Sequence, residues 1–381
     1  MFSKKEKPLP QPTVKPPESS PNEPIEEGSG IKIGRNYYWD PASLSNGHVA
    51  IIGASGSGKT QTLKSIAHSL EQTYPTLKLY LIDFHGDQSI AGETVYRLHA
   101  TSEYGVNPLI INLDPEGGGP DLQSIEITSQ IKKSLLLGAN QQGVLLDIIN
   151  SCYKMRGILN EDQSTWHNAP PNFKDVEDEV RHRAEDEDCK ESQKLQLKLA
   201  VLFKYGVFSR PQFPDEGRGV QGGECDSALS PKRIIRIDLS KLPHAIASLA
   251  AESVAKQLMN NHRLLGEAST SMPSTYLFID ECKEMPTGRD SACNRITQDG
   301  RKFGLSLVMA SQSERHMSSE VIGNSATKIV LPVDSSEVQK VAKKFRFSEH
   351  HIAKLTQLNA LIRAGVRAEV VPIIPYYEKV Q

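Results

Sequence analysis

Cysteine, tryptophan and long apolar runs are all scarce in this sequence. The five cysteines (Cys152, Cys189, Cys225, Cys282 and Cys293) are scattered without a Cys-x-x-Cys pair. That spacing argues against a disulfide framework or a zinc site and for reduced thiols. No stretch approaches the ~18–20 apolar residues of a membrane span. The Met-Phe-Ser-Lys-Lys start lacks the apolar centre of a signal peptide. The expectation is a cytoplasmic protein with no integral membrane segment. With 44 basic and 46 acidic residues the formal net charge is −2. The chain therefore lacks the overall basic footprint of many nucleic-acid binders, and any such contact must come from a local patch. No internal repeat is visible, nor an aromatic-and-basic platform for stacking single strands.

What is present reads as a globular α/β chain. Apolar residues make up 38% and charged residues 24% of the 381 positions, enough for one large domain or two ordinary ones. Residues 1–30 are rich in Pro, Glu, Lys and Ser and read as a disordered tail. From residue 31 short apolar runs alternate with amphipathic helices. Strands are expected at 48–53, 77–85, 109–113, 233–240, 274–281, 304–312 and 326–332, with a last hairpin over 359–373. Helices are expected at 58–74 and around 245–264. Alternation of this kind builds a mostly parallel sheet covered on both faces. The stretch 124–231 breaks the rhythm. It is long, charge-rich and helical (roughly 124–156 and 174–206), and it closes on a Gly/Pro-rich loop. The expected organisation is a tail (1–30), a first core part (31–123), a mainly helical insertion (124–231) and a second core part (232–381).

The chemistry concentrates at strand ends. GASGSGKT satisfies G-x-x-x-x-G-K-[ST] between a buried strand and a helix, the context in which the motif cradles phosphate. Gly53, Gly56 and Gly58 let the backbone close round an anion. The N–H groups through Ser55 and Ser57, with the following helix dipole, point at the phosphates. Lys59 can neutralise the β- and γ-phosphates, and the Thr60 hydroxyl can ligate Mg²⁺. These residues mark a site for ATP with Mg²⁺. YLFIDE ends a buried strand in Asp280, placed to hold Mg²⁺, and Glu281, placed to polarise attacking water. SLVMASQ ends another in Gln312, a neutral amide suited to sensing the γ-phosphate or orienting water. LIDFHGD ends a fourth in Asp83 and His85, for which a site contact and local capping both fit. Metal ligation by Asp83, His85 and Asp87 is the weaker reading.

These four strand ends, in this order, resemble the HerA–FtsK superfamily of ring-shaped DNA pumps. GHVAIIGASGSGKT is similar to its first motif and LFIDECKEM to its second. GRKFGLSLVMASQ is similar to its combined arginine and sensor-glutamine motif. IDFHGD matches the HerA strand-end motif Asp-x-His-Gly-Glu, with Asp87 in the last place, and YGVNPLIINLD resembles the Asn-Pro-Leu segment of HerA-like and conjugative ATPases. The resemblance covers about residues 32–375 and is strongest to the HerA branch and its conjugative relatives. It implies a RecA-like core with the sensor strand between the two Walker strands. It also implies a homohexamer that threads double-stranded DNA. In that frame Asp280 and Glu281 are the Walker B pair, Gln312 is the sensor, and Arg301, beside Lys302, is the candidate finger reaching a neighbour's ATP. The implied function is a DNA translocase or helicase; the alternative is a secretion- or conjugation-type ATPase moving protein or nucleoprotein. HerA proteins usually carry an N-terminal β-barrel that docks a nuclease, and conjugative coupling proteins begin with membrane helices. Neither is expected here; a nuclease or a mobile-element or defence protein remains a candidate partner class. Lys283, Arg289 and Arg295 after Walker B, or Arg315 and His316 after the sensor, could face a pore and meet DNA phosphates, but solvated turns are the commoner explanation for such residues.

Overall fold

The computed structural model describes residues 29–185, 190–214 and 233–380. Most of the tail, Cys189, Cys225 and most of the Gly/Pro-rich loop lie outside the described residues.

A small antiparallel hairpin, β1 (Ile31–Gly34) and β2 (Tyr37–Trp39), opens the described chain. The Trp39 indole donates to the Thr327 hydroxyl at 2.9 Å, fixing the hairpin to the core. Then follow β3 (Val49–Ile52), α1 (Lys59–Thr73), β4 (Lys78–Asp83) and an edge strand β5 (Thr94–Arg97). Four helices come next: α2 (Pro120–Leu135), α3 (Ala139–Met155), α4 (Phe173–Ala184) and α5 (Lys190–Tyr205). The chain returns through β6 (Ile234–Asp238), α6 (His244–Leu265), β7 (Thr275–Ile279), α7 (Ala292–Asp299) and β8 (Leu305–Ser311). It ends with α8 (Ser319–Asn324), β9 (Thr327–Val330), α9 (Val338–Phe345), α10 (Glu349–Ala353), the hairpin β10 (Asn359–Ala364) and β11 (Arg367–Pro372), and α11 (Tyr376–Lys379).

Among the described residues nine strands form one sheet in the order β11-β10-β9-β3-β8-β7-β4-β6-β5. The strands from β9 to β5 run parallel and β10–β11 antiparallel, giving the mixed RecA-like sheet with helices on both faces. Strands β3, β7 and β8 are buried along their whole length, as both-face coverage demands of nearly continuous apolar runs. Side-chain alternation divides them between two cores. Val49 and Ile51 pack with Leu63, Ile66 and Leu70 of α1; Ala50 and Ile52 pack on the other face with residues of α6, α7 and the helices α2–α5. Strand β8 lies between β3 and β7, so the sensor strand does stand between the two Walker strands.

Two expectations fail. Residues 109–113 form no strand: Pro108 cannot donate to a ladder, and Asn107 turns the chain by accepting from Leu109 N. Leu109 and Ile111 are buried anyway, with the Leu109 carbonyl taking the Tyr153 hydroxyl at 2.7 Å. The strand that does pair beyond β6 is the half-exposed β5. The stretch 124–156 is two helices rather than one, broken where Leu136 adopts a left-handed φ of 52° ahead of Gly138. Cys152, Cys282 and Cys293 are buried free thiols. Among the described residues no helix is long and apolar enough to cross a membrane.

Candidate nucleotide site

The parallel strands all deliver their C-terminal ends to one edge, and there a cleft of about 420 Å³ opens among Ser55, Lys59, Thr60, Asp280, Glu281 and Gln312. Its floor is the loop between β3 and α1. Gly53 N–H donates to Ser311 O and Ala54 N–H to Pro332 O, tying the loop to the strands on either side. Gly56 and Gly58 carry φ values of +74° and +108°, which a side chain would strain. At Gly53 the need is space: a Cβ would stand 2.5 Å from Ser57 Oγ and 2.8 Å from Leu331 Cβ. Ser57 turns its buried hydroxyl under the loop, where it has no partner, whereas Ser55 is exposed at the rim. The Lys59 ammonium reaches across the loop to Ala54 O at 2.9 Å. Burial lowers its pKa against the pull of Asp280 and Glu281.

Asp280 and Glu281 follow β7 directly. The Thr60 hydroxyl donates to Asp280 Oδ2 at 2.8 Å. Burial raises the Asp280 pKa, opposed by that hydrogen bond and by the Lys59 charge. Glu281 sits in the left-handed region at φ 66°, a conformation uncommon for a non-glycine residue and concentrated at functional sites. The turn aims its carboxylate toward β8, where Gln312 Nε2 donates to Oε2 at 2.6 Å. The other oxygen, Oε1, is buried without a hydrogen-bond partner, which suits a group that must accept a proton.

Asp83 proves to be a cap. Its Oδ1 accepts from the N–H groups of His85 and Gly86, and its Oδ2 from Gln88 N–H and the Arg236 guanidinium at 2.9 Å. His85 and Asp87 line the cleft. With Asp83 spent on this loop, the three do not form a metal site, and no group of three His, Cys, Asp or Glu side chains converges for one among the described residues. The oxygens of Thr60 and Asp280 suit Mg²⁺, which takes few protein ligands and completes its shell with phosphate and water.

Arg301 occupies a single turn, Gly300–Phe303, at the start of β8, and is exposed. The seven residues of β8 span roughly 23 Å, so Arg301 lies at the opposite edge of the sheet from its own chain's cleft. Lys302 beside it pairs with Glu267 at 3.0 Å. Of the basic residues weighed for DNA contact, Arg295 is partly buried and bound to Glu126 at 2.7 Å, facing α2. Lys283, Arg289 and Arg315 remain exposed.

Sequence reading missed Gln88, buried behind the cleft, and Gln61, Gln357, Leu358 and Tyr377 among the residues that line it. Gln88 donates to Asp280 Oδ2 at 2.6 Å, and its only signal was its place one residue past IDFHGD. Gln357, Leu358 and Tyr377 arrive from the far end of the chain. Leu358, at φ 60°, donates its N–H to Ser57 O, and Gln357 Nε2 donates to Gly56 O. No local pattern marks them.

Residues 15–99 match the FtsK/SpoIIIE family model. A DNA double-strand break repair helicase HerA from Sulfurisphaera tokodaii is 22% identical over 294 residues, covering 74% of this chain and 54% of the relative. A probable helicase from Methanocaldococcus jannaschii is 21% identical, covering 84% and 60%. The chain thus spans little more than half the length of these relatives. Among solved structures, VirB4 of Thermoanaerobacter pseudethanolicus aligns over 94% of this chain and 100% of its own, with TM-score 0.73 at 17% identity. The plasmid coupling protein TrwB in complex with ADP and Mg²⁺ aligns over 86% and 85%, with TM-score 0.56 at 15% identity.

Proposed function

We propose that the chain is a P-loop ATPase of the HerA–FtsK superfamily that hydrolyses ATP to translocate along or pump double-stranded DNA as a homohexamer. The observation carrying the chemistry is the convergence of Lys59, Thr60, Asp280, Glu281 and Gln312, from the start of α1 and the ends of β7 and β8, on one cleft. The loop Gly53–Thr60 and the α1 N-terminus bind the phosphates, with Lys59 offsetting their charge. Thr60 and Asp280 hold Mg²⁺, which supplies charge stabilisation of the transferring phosphoryl group. Glu281 takes a proton from the attacking water at Oε1 while Gln312 holds Oε2 in place. Arg301 completes the site of the next subunit in the ring. DNA as substrate rests on the superfamily and on what the curated relatives are called.

The decisive experiment measures ATP turnover without DNA, with duplex and with single strands, alongside mass by light scattering. Duplex-stimulated turnover by a six-subunit species is expected. A second reading, a conjugation-type motor moving protein or nucleoprotein, is favoured by the coupling-protein neighbour. It gains if turnover ignores duplex. Absence of any turnover in the presence of Mg²⁺ would sink both.

A further inference from the structure

Gln88 has no role in the reading above, yet it is 1% exposed and tied directly to the residue proposed to hold the metal. Its side-chain amide donates to Asp280 Oδ2 at 2.6 Å and to Asp87 Oδ1 at 3.1 Å. Both partners are carboxylate oxygens, which only accept, so the NH₂ end of the amide must face them. That leaves Oε1 buried without a donor, an arrangement that costs free energy and contributes nothing to packing.

The amide has a rigid seat. Gln88 N–H donates to Asp83 Oδ2, the same oxygen that receives the Arg236 guanidinium, and Arg236 also grips Glu93 at 2.9 Å. Asp83 is fully buried and Arg236 nearly so. The network starts on β4 and β6 and reaches Asp280 through Gln88. Asp280 Oδ2 then receives two donors, Thr60 from the P-loop helix and Gln88 from the loop after β4.

We infer that Gln88 is a positioning residue for Mg²⁺: it orients the Asp280 carboxylate through the hydrogen bond to Oδ2. The inference rests on the nucleotide-site reading and extends it. It places the loop after β4 in the outer shell of the metal, with Asp87 on the same amide at the mouth of the cleft. Outer-shell partners of metal ligands typically contribute ~10–100-fold to metal affinity.

The test is binding of a fluorescent ADP analogue, first in EDTA and then along a Mg²⁺ titration. Gln88→Met keeps the length and volume of the side chain and removes both donors. Its metal-free nucleotide affinity should match the parent, while the Mg²⁺ concentration at half-effect rises ~10–100-fold. Gln88→Asn, which keeps the amide but shortens its reach by one methylene, should shift it in the same direction. In an Asp280→Asn background neither substitution should shift it further, because the group that Gln88 acts through is gone. An unchanged Mg²⁺ midpoint in folded Gln88→Met and Gln88→Asn overturns the inference, as does a full shift that persists beside Asp280→Asn. A parent that binds no nucleotide overturns the site reading and this inference together; a parent that binds with variants indistinguishable from it overturns the Gln88 role alone.

Discussion

At the scale of single residues, Glu281 is the most constrained group in the cleft. Its left-handed backbone turns the carboxylate off the end of β7 and across to Gln312, and its second oxygen is left unpaired in a buried position. A carboxylate so placed can take a proton from water, and an amide of the same shape cannot. Glu281→Gln should therefore bind ATP nearly as well as the parent while turnover falls ~10²–10⁴-fold, the usual cost of losing a general base. Nucleotide affinity and single-turnover rates, measured on the same preparation, separate the two effects. Collapse of affinity with surviving turnover would mean that Glu281 binds and does not act as base.

At the scale of elements, the helices α2, α6 and α7 meet round a buried charge cluster. Glu126 accepts from Lys256 at 3.0 Å and Arg295 at 2.7 Å, and those two cations hold its pKa down against burial. Glu252, on the same face of α6, accepts from Ala292 N–H at the start of α7, and its second oxygen has no partner. Desolvation raises its pKa to about 7, only partly opposed by Lys256. A carboxyl whose folded pKa is raised binds its proton more tightly folded than unfolded. Its contribution to stability is full below its ordinary pKa and is lost as pH rises to about 7. Glu252→Gln keeps the acceptor for Ala292 and removes the titration. Between pH 4.5 and 7 the parent should lose stability relative to this variant, by roughly 3 kcal/mol across the window. Urea midpoints at the two ends check this, and parallel pH profiles for parent and variant would refute it.

At the scale of the whole molecule, the parallel sheet sends Arg301 and the nucleotide cleft to opposite edges. The length of β8, roughly 23 Å, separates the two within one chain, so a contact between Arg301 and ATP would cross a subunit boundary. Head-to-tail contacts close into a ring when the rotation per subunit allows it. Fingers acting in this way are worth roughly 10³–10⁵ in rate. Arg301→Ala should keep ATP binding and lose hydrolysis, and Lys59→Ala should lose ATP binding or turnover with the fold intact. Mixing the two should restore some turnover, since one interface then holds an intact loop and an intact finger. Mixtures that co-assemble and stay inactive, or an active species that proves monomeric, would return Arg301 to the status of a surface residue.

The local patterns were enough to read the P-loop, the acidic pair after β7, the glutamine after β8 and most of the strands. Those features depend on contiguous residues: glycines where φ is positive, apolar runs that only a buried parallel strand accommodates, polar groups at their ends. Tertiary structure decided what lies between distant segments. It kept 109–113 out of the sheet because Pro108 and Asn107 favour a turn over a ladder. It assigned Asp83 to capping and turned Arg295 inward to Glu126. It also brought Gln357, Leu358 and Tyr377 to the cleft and Gln88 behind it onto Asp280, from three separate stretches. No periodicity or spacing encodes such meetings. They follow from strand order and register, which are set by how the two apolar faces of the sheet are covered.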